Sequence, residues 1–321
     1  MTYVLGIDGG GTKTICLLMD QSSQILSRGE AGPSNYQTIG LEAAGHSIQS
    51  AIAAAVSPLA GVELSITAIG LGLAGVGRPE DVEAVRNLVQ QLQLNRELPI
   101  KWSLQPDTIV ISSDSIIALV GGTGRAEGIV VIAGTGSQIF GQNRQGKTKR
   151  VGGWGYLLGD EGSGYQIAIQ GLQAVMRSYD GRLEPTTLTQ AFQTGLNLKN
   201  TEELIPLIYR RGWGVKDIAA LAPIVEQAAA EGDRIAQQIM TDAVAELVLA
   251  VKVTISALFH PDESLEIVTM GGVWQGATNF RGQFTEAMAA IAPLATVIWP
   301  KYEPAYGAGL LALNALTQKS R

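Results

Sequence analysis

Tyr3-Val4-Leu5-Gly6-Ile7-Asp8-Gly9-Gly10-Gly11-Thr12-Lys13-Thr14-Ile15-Cys16-Leu17-Leu18-Met19 decides the architecture: an apolar run, a turn crowded with glycine, and a second apolar run. Residues 3–7 and 15–19 read as strands, and the strand pattern resumes at 25–28 after a polar break, which makes a β-meander. Glycine tolerates positive φ and carries no Cβ, so the turn leaves backbone N–H groups able to converge on an anion. Thr12 and Lys13 add a hydroxyl and an ammonium. The same residues also suit a plain tight hairpin. No Gly-Lys-Ser/Thr ends the turn and a strand follows it instead of a helix, so it is neither a P-loop nor a dinucleotide fingerprint.

The second half begins as the first does. Residues 128–132 have strand character, Ala133-Gly134-Thr135-Gly136-Ser137 is another glycine-rich turn, Ile139-Phe140 resumes the strand, and Asn143-Arg144-Gln145-Gly146 turns again. A duplicated core explains the repetition. Between the two lie strand-like runs at 65–73 and 108–111. Helical faces appear in Leu41, Ala44, Ile48, Ile52 and Val56, and, after Pro79-Glu80-Asp81, in Val82, Val85, Val89 and Leu92. Residues 163–257 read as mainly helical, with Ser163 as an N-cap; 265–269 is a strand running into Gly271-Gly272, and 306–316 a closing helix.

With 321 residues and 46% hydrophobic content, two domains can each bury a core. A net charge of -6 offers no basic field for nucleic acid. No secretory leader precedes Gly11, and the apolar stretch 244–259 is broken by Glu246 and Lys252, which predicts a buried helix, not a membrane span. Cys16 is the one cysteine, so no internal disulfide forms, and a reducing cytoplasm is expected. His46 and His260 make no zinc-ligand spacing, and a catalytic metal would be a hard cation held by oxygen.

Two phosphate-type hairpins in tandem, an acid in Ser113-Asp114-Ser115 and a late strand ending in Met270-Gly271-Gly272-Val273 resemble the superfamily of actin, hexokinase and the heat-shock chaperone ATPases. Val151-Gly152-Gly153-Trp154-Gly155-Tyr156-Leu157-Leu158-Gly159-Asp160-Glu161-Gly162-Ser163 resembles, more narrowly, the N-acetylglucosamine kinase and BadF/BadG/BcrA/BcrD ATPase family. The resemblance implies an α/β fold of two actin-like (ribonuclease H-like) domains with a nucleotide cleft between them. The domains expected are 1–115 plus 303–321, and 116–302 with a helical insertion.

The resemblance also implies roles. Asp8, Gly10, Gly11, Thr12 and Lys13 would hold ATP phosphates together with Gly134, Thr135, Gly136 and Ser137, Asp8 reaching Mg²⁺ through water, while Gly271 and Gly272 would let adenosine lie close to the backbone. Asp114 follows a strand at its carboxyl end, where open α/β sheets place ligands, and is implied as the base for the sugar hydroxyl; capping the helix 115–120 is the other reading. Asn35, Gly153, Trp154 and Asp160 are implied sugar contacts, against a turn asparagine, a core tryptophan and an acid favouring the helix dipole. Asp107 reads as a turn residue, and Lys147, Lys149 and Arg150 as a solvated hairpin tip.

The implied activity is ATP-dependent phosphorylation of an amino sugar, N-acetylglucosamine to its 6-phosphate first, glucosamine or another sugar second. Ala74 stands where some members carry a hydroxyl, which leaves that choice open. The expected partners are sugar and ATP, with no nucleic acid or membrane, and a homodimer stays open. A non-catalytic sugar- or ATP-responsive regulator is the rival of another class; no helix-turn-helix precedes Tyr3. The dehydratase-activating ATPases of this family hold a [4Fe-4S] cluster between two subunits; it takes four thiolates, and one cysteine per chain supplies two.

Overall fold

Residues 2–95, 98–210 and 212–319 are described by the computed structural model. The chain forms two compact units, Met1–Glu127 with Pro300–Arg321, and Gly128–Trp299. The sequence reading broke the chain at 115/116 and 302/303. The units break later on the first crossing and earlier on the return, because the helix that begins at Asp114 packs within the first unit against the closing helix.

In the first unit β1 (Thr2–Gly9), β2 (Thr14–Asp20) and β3 (Ile25–Ala31) form the expected meander. Helices α1 (Tyr36–Ile39) and α2 (Leu41–Val56) lead to β4 (Leu64–Leu73), which pairs parallel to β1. Helix α3 (Pro79–Leu94) then precedes β5 (Ile100–Trp102) and β6 (Ile109–Ser113), both parallel to β4, and α4 (Asp114–Thr123) closes this stretch. Pro79 opens α3, and Asp81 accepts from Gly77 N at 3.1 Å and Arg78 N at 2.8 Å, satisfying groups the helix start leaves bare.

The second unit repeats the plan. Strands β7 (Gly128–Ala133), β8 (Ser137–Gln142) and β9 (Thr148–Gly152) form the second meander. A helical block follows: α5 (Gly164–Tyr179), α6 (Leu188–Gly195), α7 (Leu204–Arg210), α8 (Val215–Ala219), α9 (Ala222–Ala230) and α10 (Arg234–Leu258). Ser163 caps α5 by accepting from Gln166 N at 3.3 Å. Then β10 (Leu265–Met270) pairs parallel to β7, α11 (Phe280–Ile291) crosses, and β11 (Ala295–Ile298) pairs parallel to β10. The sheet orders are β3-β2-β1-β4 and β9-β8-β7-β10, the same path twice.

The closing helix α12 (Pro304–Lys319) returns to the first unit and explains why β1 reads as an unbroken apolar run. Leu5 and Ile7 face α2 and α3 with Ile48, Ile52, Val85 and Val89, whereas Val4 on the other face packs with Leu17, Met19, Ala305 and Ala312. Helix α12 presses against the sheet where side chains are missing: a Cβ on Gly6 would stand 2.2 Å from Ala305 O, and one on Gly70 2.0 Å from Ala308 O. Cys16 is fully buried in β2, and burial raises its thiol well above the usual range. No helix among the described residues is long and apolar enough to cross a membrane.

Candidate active site

Three parallel strands end together in the first unit. Asp8 of β1 lies beside Gly72 of β4, and Gly72 beside Ser112 of β6, so Asp8 and Asp114, two residues past Ser112, emerge at the same edge, with the Ile117 side chain filling the space over Gly72. Asp8 shares a sheet face with Val4 and Gly6, the face that α12 covers. Burial pushes the Asp8 carboxyl up to about 7; the negative charges of Asp114 and Glu303 add to this, and Lys13 opposes it. Asp114 is the first residue of α4, and Ser113 stands at the cap position. The Asp114 carboxyl accepts from the neighbouring Ser115 N at 2.7 Å.

The glycine turn is held from behind and left open in front. Gly10 N donates to Lys13 O at 3.0 Å, and Gly10 O accepts from Ser34 N at 3.0 Å and Asn35 N at 3.2 Å. Thr14 Oγ1 donates to Gly32 O at 2.7 Å and accepts from Ser34 Oγ at 2.8 Å. Yet a Cβ on Gly11 would meet nothing within 4 Å, and one on Gly10 only Lys13 O at 3.6 Å. Thr12 and Lys13 are exposed. The structure thus brings Asn35 next to the turn; its side chain caps α1 by accepting from Gln37 N at 3.2 Å.

The second unit gathers Gly134, Thr135, Gly136, Ser137, Asp160, Gly271 and Gly272. Gly134 N donates to Gly136 O at 2.9 Å, and Gly134 O accepts from Gly164 N at 2.8 Å. Asp160, buried and held at a φ of 63°, accepts from Ser137 N at 3.3 Å, and its Oδ2 stands 2.7 Å from where a Cβ on Gly136 would be. Burial raises the Asp160 carboxyl, the Ser137 N–H works against that, and Glu161 adds a further upward push. Gly271, with a φ of 112°, ends β10 so close to β7 that a Cβ would stand 2.2 Å from Ala133 O, while Gly272 has open space around it.

Gly152, Gly153 and Gly155 all have positive φ, and the loop they shape carries Trp154 at 62% exposure, which rules out a core tryptophan. Arg150 is a strand residue of β9, not part of a bare tip: its guanidinium lies 4.3 Å from the Trp154 ring centroid. Sequence reasoning missed this pair, although the positive residue four positions before an aromatic was in view. It also missed Glu303, which Arg28 Nε contacts at 3.3 Å; Arg28 bridges Glu30 at 3.0 Å, and Glu30 lies 3.9 Å from Lys13. Asp107 lies in a short 3-10 turn, as read.

Among the described residues no three acidic, histidine or cysteine groups are spaced to chelate a metal directly. Mg²⁺ fits this edge in its usual manner, keeping waters and substrate phosphates in its shell, because the donors are all oxygen and their mutual repulsion leaves negative charge to be offset.

Residues 5–312 match the BadF/BadG/BcrA/BcrD ATPase family. An N-acetylmuramic acid/N-acetylglucosamine kinase of Clostridium acetobutylicum is 34% identical over 97% of this chain and 98% of its own length. An N-acetyl-D-glucosamine kinase of Dictyostelium discoideum is 33% identical, with 97% and 98% covered. A solved structure from Chromobacterium violaceum, titled as a candidate N-acetylglucosamine kinase, superimposes with a TM-score of 0.74 at 24% identity, covering 97% of this chain and 98% of that one. The fold is the actin-like α/β fold, and the chain belongs to the BadF/BadG/BcrA/BcrD ATPase family.

Proposed function

We propose that this member of the BadF/BadG/BcrA/BcrD ATPase family is an ATP-dependent amino-sugar kinase, with N-acetylglucosamine as substrate and its 6-phosphate as product. The observation that carries the reading is the paired acids Asp8 and Asp114 at the carboxyl edge of parallel strands, beside a glycine turn with open space in front of it. Kinases of amino sugars among the relatives support the substrate class.

In this reading Asp114 accepts a hydrogen bond from the sugar hydroxyl and takes its proton as phosphoryl transfer proceeds; with a loose transition state its main work is orientation. Gly11, Thr12 and Lys13 donate to phosphate oxygens, as do the backbone N–H groups of Thr135 and Gly136, while Gly10, Gly134 and Ser137, whose N–H groups are used within their own turns, let the phosphates approach closely. Asp8 would hold Mg²⁺ through water, and Gly271 and Gly272 would leave room for adenosine. Asn35, Gly153, Trp154 and Asp160 contact the sugar, the exposed ring offering an apolar surface to a pyranose. Bound Mg-ATP supplies the phosphoryl group and the cation that offsets its charge.

A sugar-dependent ADP-release assay over hexoses, hexosamines, N-acetylhexosamines and N-acetylmuramic acid tests this. The expected result is release with N-acetylglucosamine and a product whose phosphorus couples to the C6 protons in NMR. Strongest release with a hexose lacking nitrogen would overturn the substrate class. No release above the sugar-free rate with any sugar would overturn catalysis in favour of a regulator.

A further inference from the structure

Glu226, at 4% exposure, is the most deeply buried charged side chain among the described residues. It sits in α9, whose other inward positions are alanine and valine. Burial raises its carboxyl, and a hydrogen bond from Ala277 N–H pulls the other way. A buried acid costs stability that an apolar side chain of similar size would not, so its presence calls for a reason.

The reason lies in what it touches. The segment entered through Gly271 and Gly272 continues as a 3-10 turn, Gly272–Gln275, and then passes directly over Glu226. A Cβ on Gly276 would stand 1.9 Å from Glu226 Oε2 and 2.5 Å from Oε1. Gly276 has φ -67° and ψ 177°, a conformation open to any residue, so the carboxyl and not the backbone excludes a side chain there.

The segment is pinned at three points. Gly271 abuts Ala133 O at the end of β7, Trp274 packs against Phe280 and Phe284 at centroid distances of 5.3 Å and 5.0 Å, and Ala277 is tied to Glu226. Trp274 Nε1 and Thr278 Oγ1 are buried with no hydrogen-bond partner, so the tryptophan anchors by apolar packing while Glu226 supplies a polar tie to α9. Gly272, between the first two pins, faces open space.

We propose that Glu226 is a positioning residue for the nucleotide: it fixes residues 271–277 so that the backbone at Gly272 presents a rigid surface to adenosine. The inference rests on the kinase reading above, and specifically on adenosine lying at Gly271 and Gly272.

Steady-state kinetics of the full chain test it. Glu226→Ala is expected to raise the KM for ATP about tenfold, as losing a hydrogen bond to a charged group does, with kcat and the amino-sugar KM within about twofold of wild type. Glu226→Gln keeps an acceptor for Ala277 N–H and is expected to stay near wild type. Should Glu226→Ala not fold, Gly276→Ala carries the test, because its methyl displaces the carboxyl, and the same selective rise is expected. An unchanged KM for ATP in a folded variant, or a parallel rise for ATP and sugar, overturns the proposal. A Cβ on Gly272 meets nothing within 4 Å, and Gly272→Leu is expected to raise the KM for ATP. If it does not, the adenosine reading and the inference fall together; if it does while Glu226→Ala and Gly276→Ala match wild type, the inference alone falls.

Discussion

In the first unit the turn after β1 leaves Gly10 and Gly11 facing open space beside Asp8, Asp114 and Glu303, whereas in the second the turn after β7 is braced by the buried Asp160. Both turns sit at the same step of the same sheet path. Their surroundings differ in kind. The first edge concentrates negative charge and pushes one acid up to about 7. The second spends the buried Asp160 on Ser137 N and packs Gly271 against the end of β7. One strand plan therefore serves charge chemistry in one unit and backbone shape in the other, and what separates them is the side chains delivered by later elements.

The comparison breaks most visibly at Asp114. Asp114→Asn is expected to cut kcat by at least about 10²-fold while nucleotide affinity, read by equilibrium titration, stays within about twofold. A variant turning over like wild type would remove the first edge from catalysis.

Asp8 sharpens the contrast through stability. Its carboxyl is raised from 3.8 to about 7, so the folded state holds a proton that the unfolded chain has released across that window. The resulting stabilisation is complete below pH 3.8 and is lost as pH rises through 7. Nucleotide-free Asp8→Asn should then exceed wild type at pH 8 by up to about 4 kcal/mol in denaturant unfolding, less at pH 5, with activity falling sharply. Equal stability of the two proteins at both pH values would show that burying Asp8 costs nothing.

The smallest effects come from a matched pair of glycines. Gly11→Ala adds a methyl where nothing stands, so thermal stability should hold or rise by up to about 1 kcal/mol while the KM for ATP rises about tenfold. Gly136→Ala drives a methyl to 2.7 Å from Asp160 Oδ2 and should lose about 1–3 kcal/mol of stability in a calorimetric scan. The reverse pattern would mean that the braced turn is the open one.

The meanders, α2, α3 and α12 were legible because their apolar runs and faces are local signals. β11 was not, since Ala295–Ile298 is a half-exposed edge strand of four residues without alternation. The place of Asp114, after a strand and at the start of a helix, was readable, while its role came from the resemblance alone. Glu303 was not, because only the packing of Ala305 against Gly6 carries it to Asp8, and no spacing along the chain records that. Glu226 likewise looks like any acid in an alanine-rich helix until the chain around Gly276 is laid over it.

The sealed position of Cys16 in β2 has a practical side. A thiol both unreachable and reluctant to ionise reacts with maleimides only if the strand opens. Cysteines introduced at chosen surface positions would therefore take up fluorophores without background from the native residue, and unfolding would be reported by the delayed labelling of Cys16 itself.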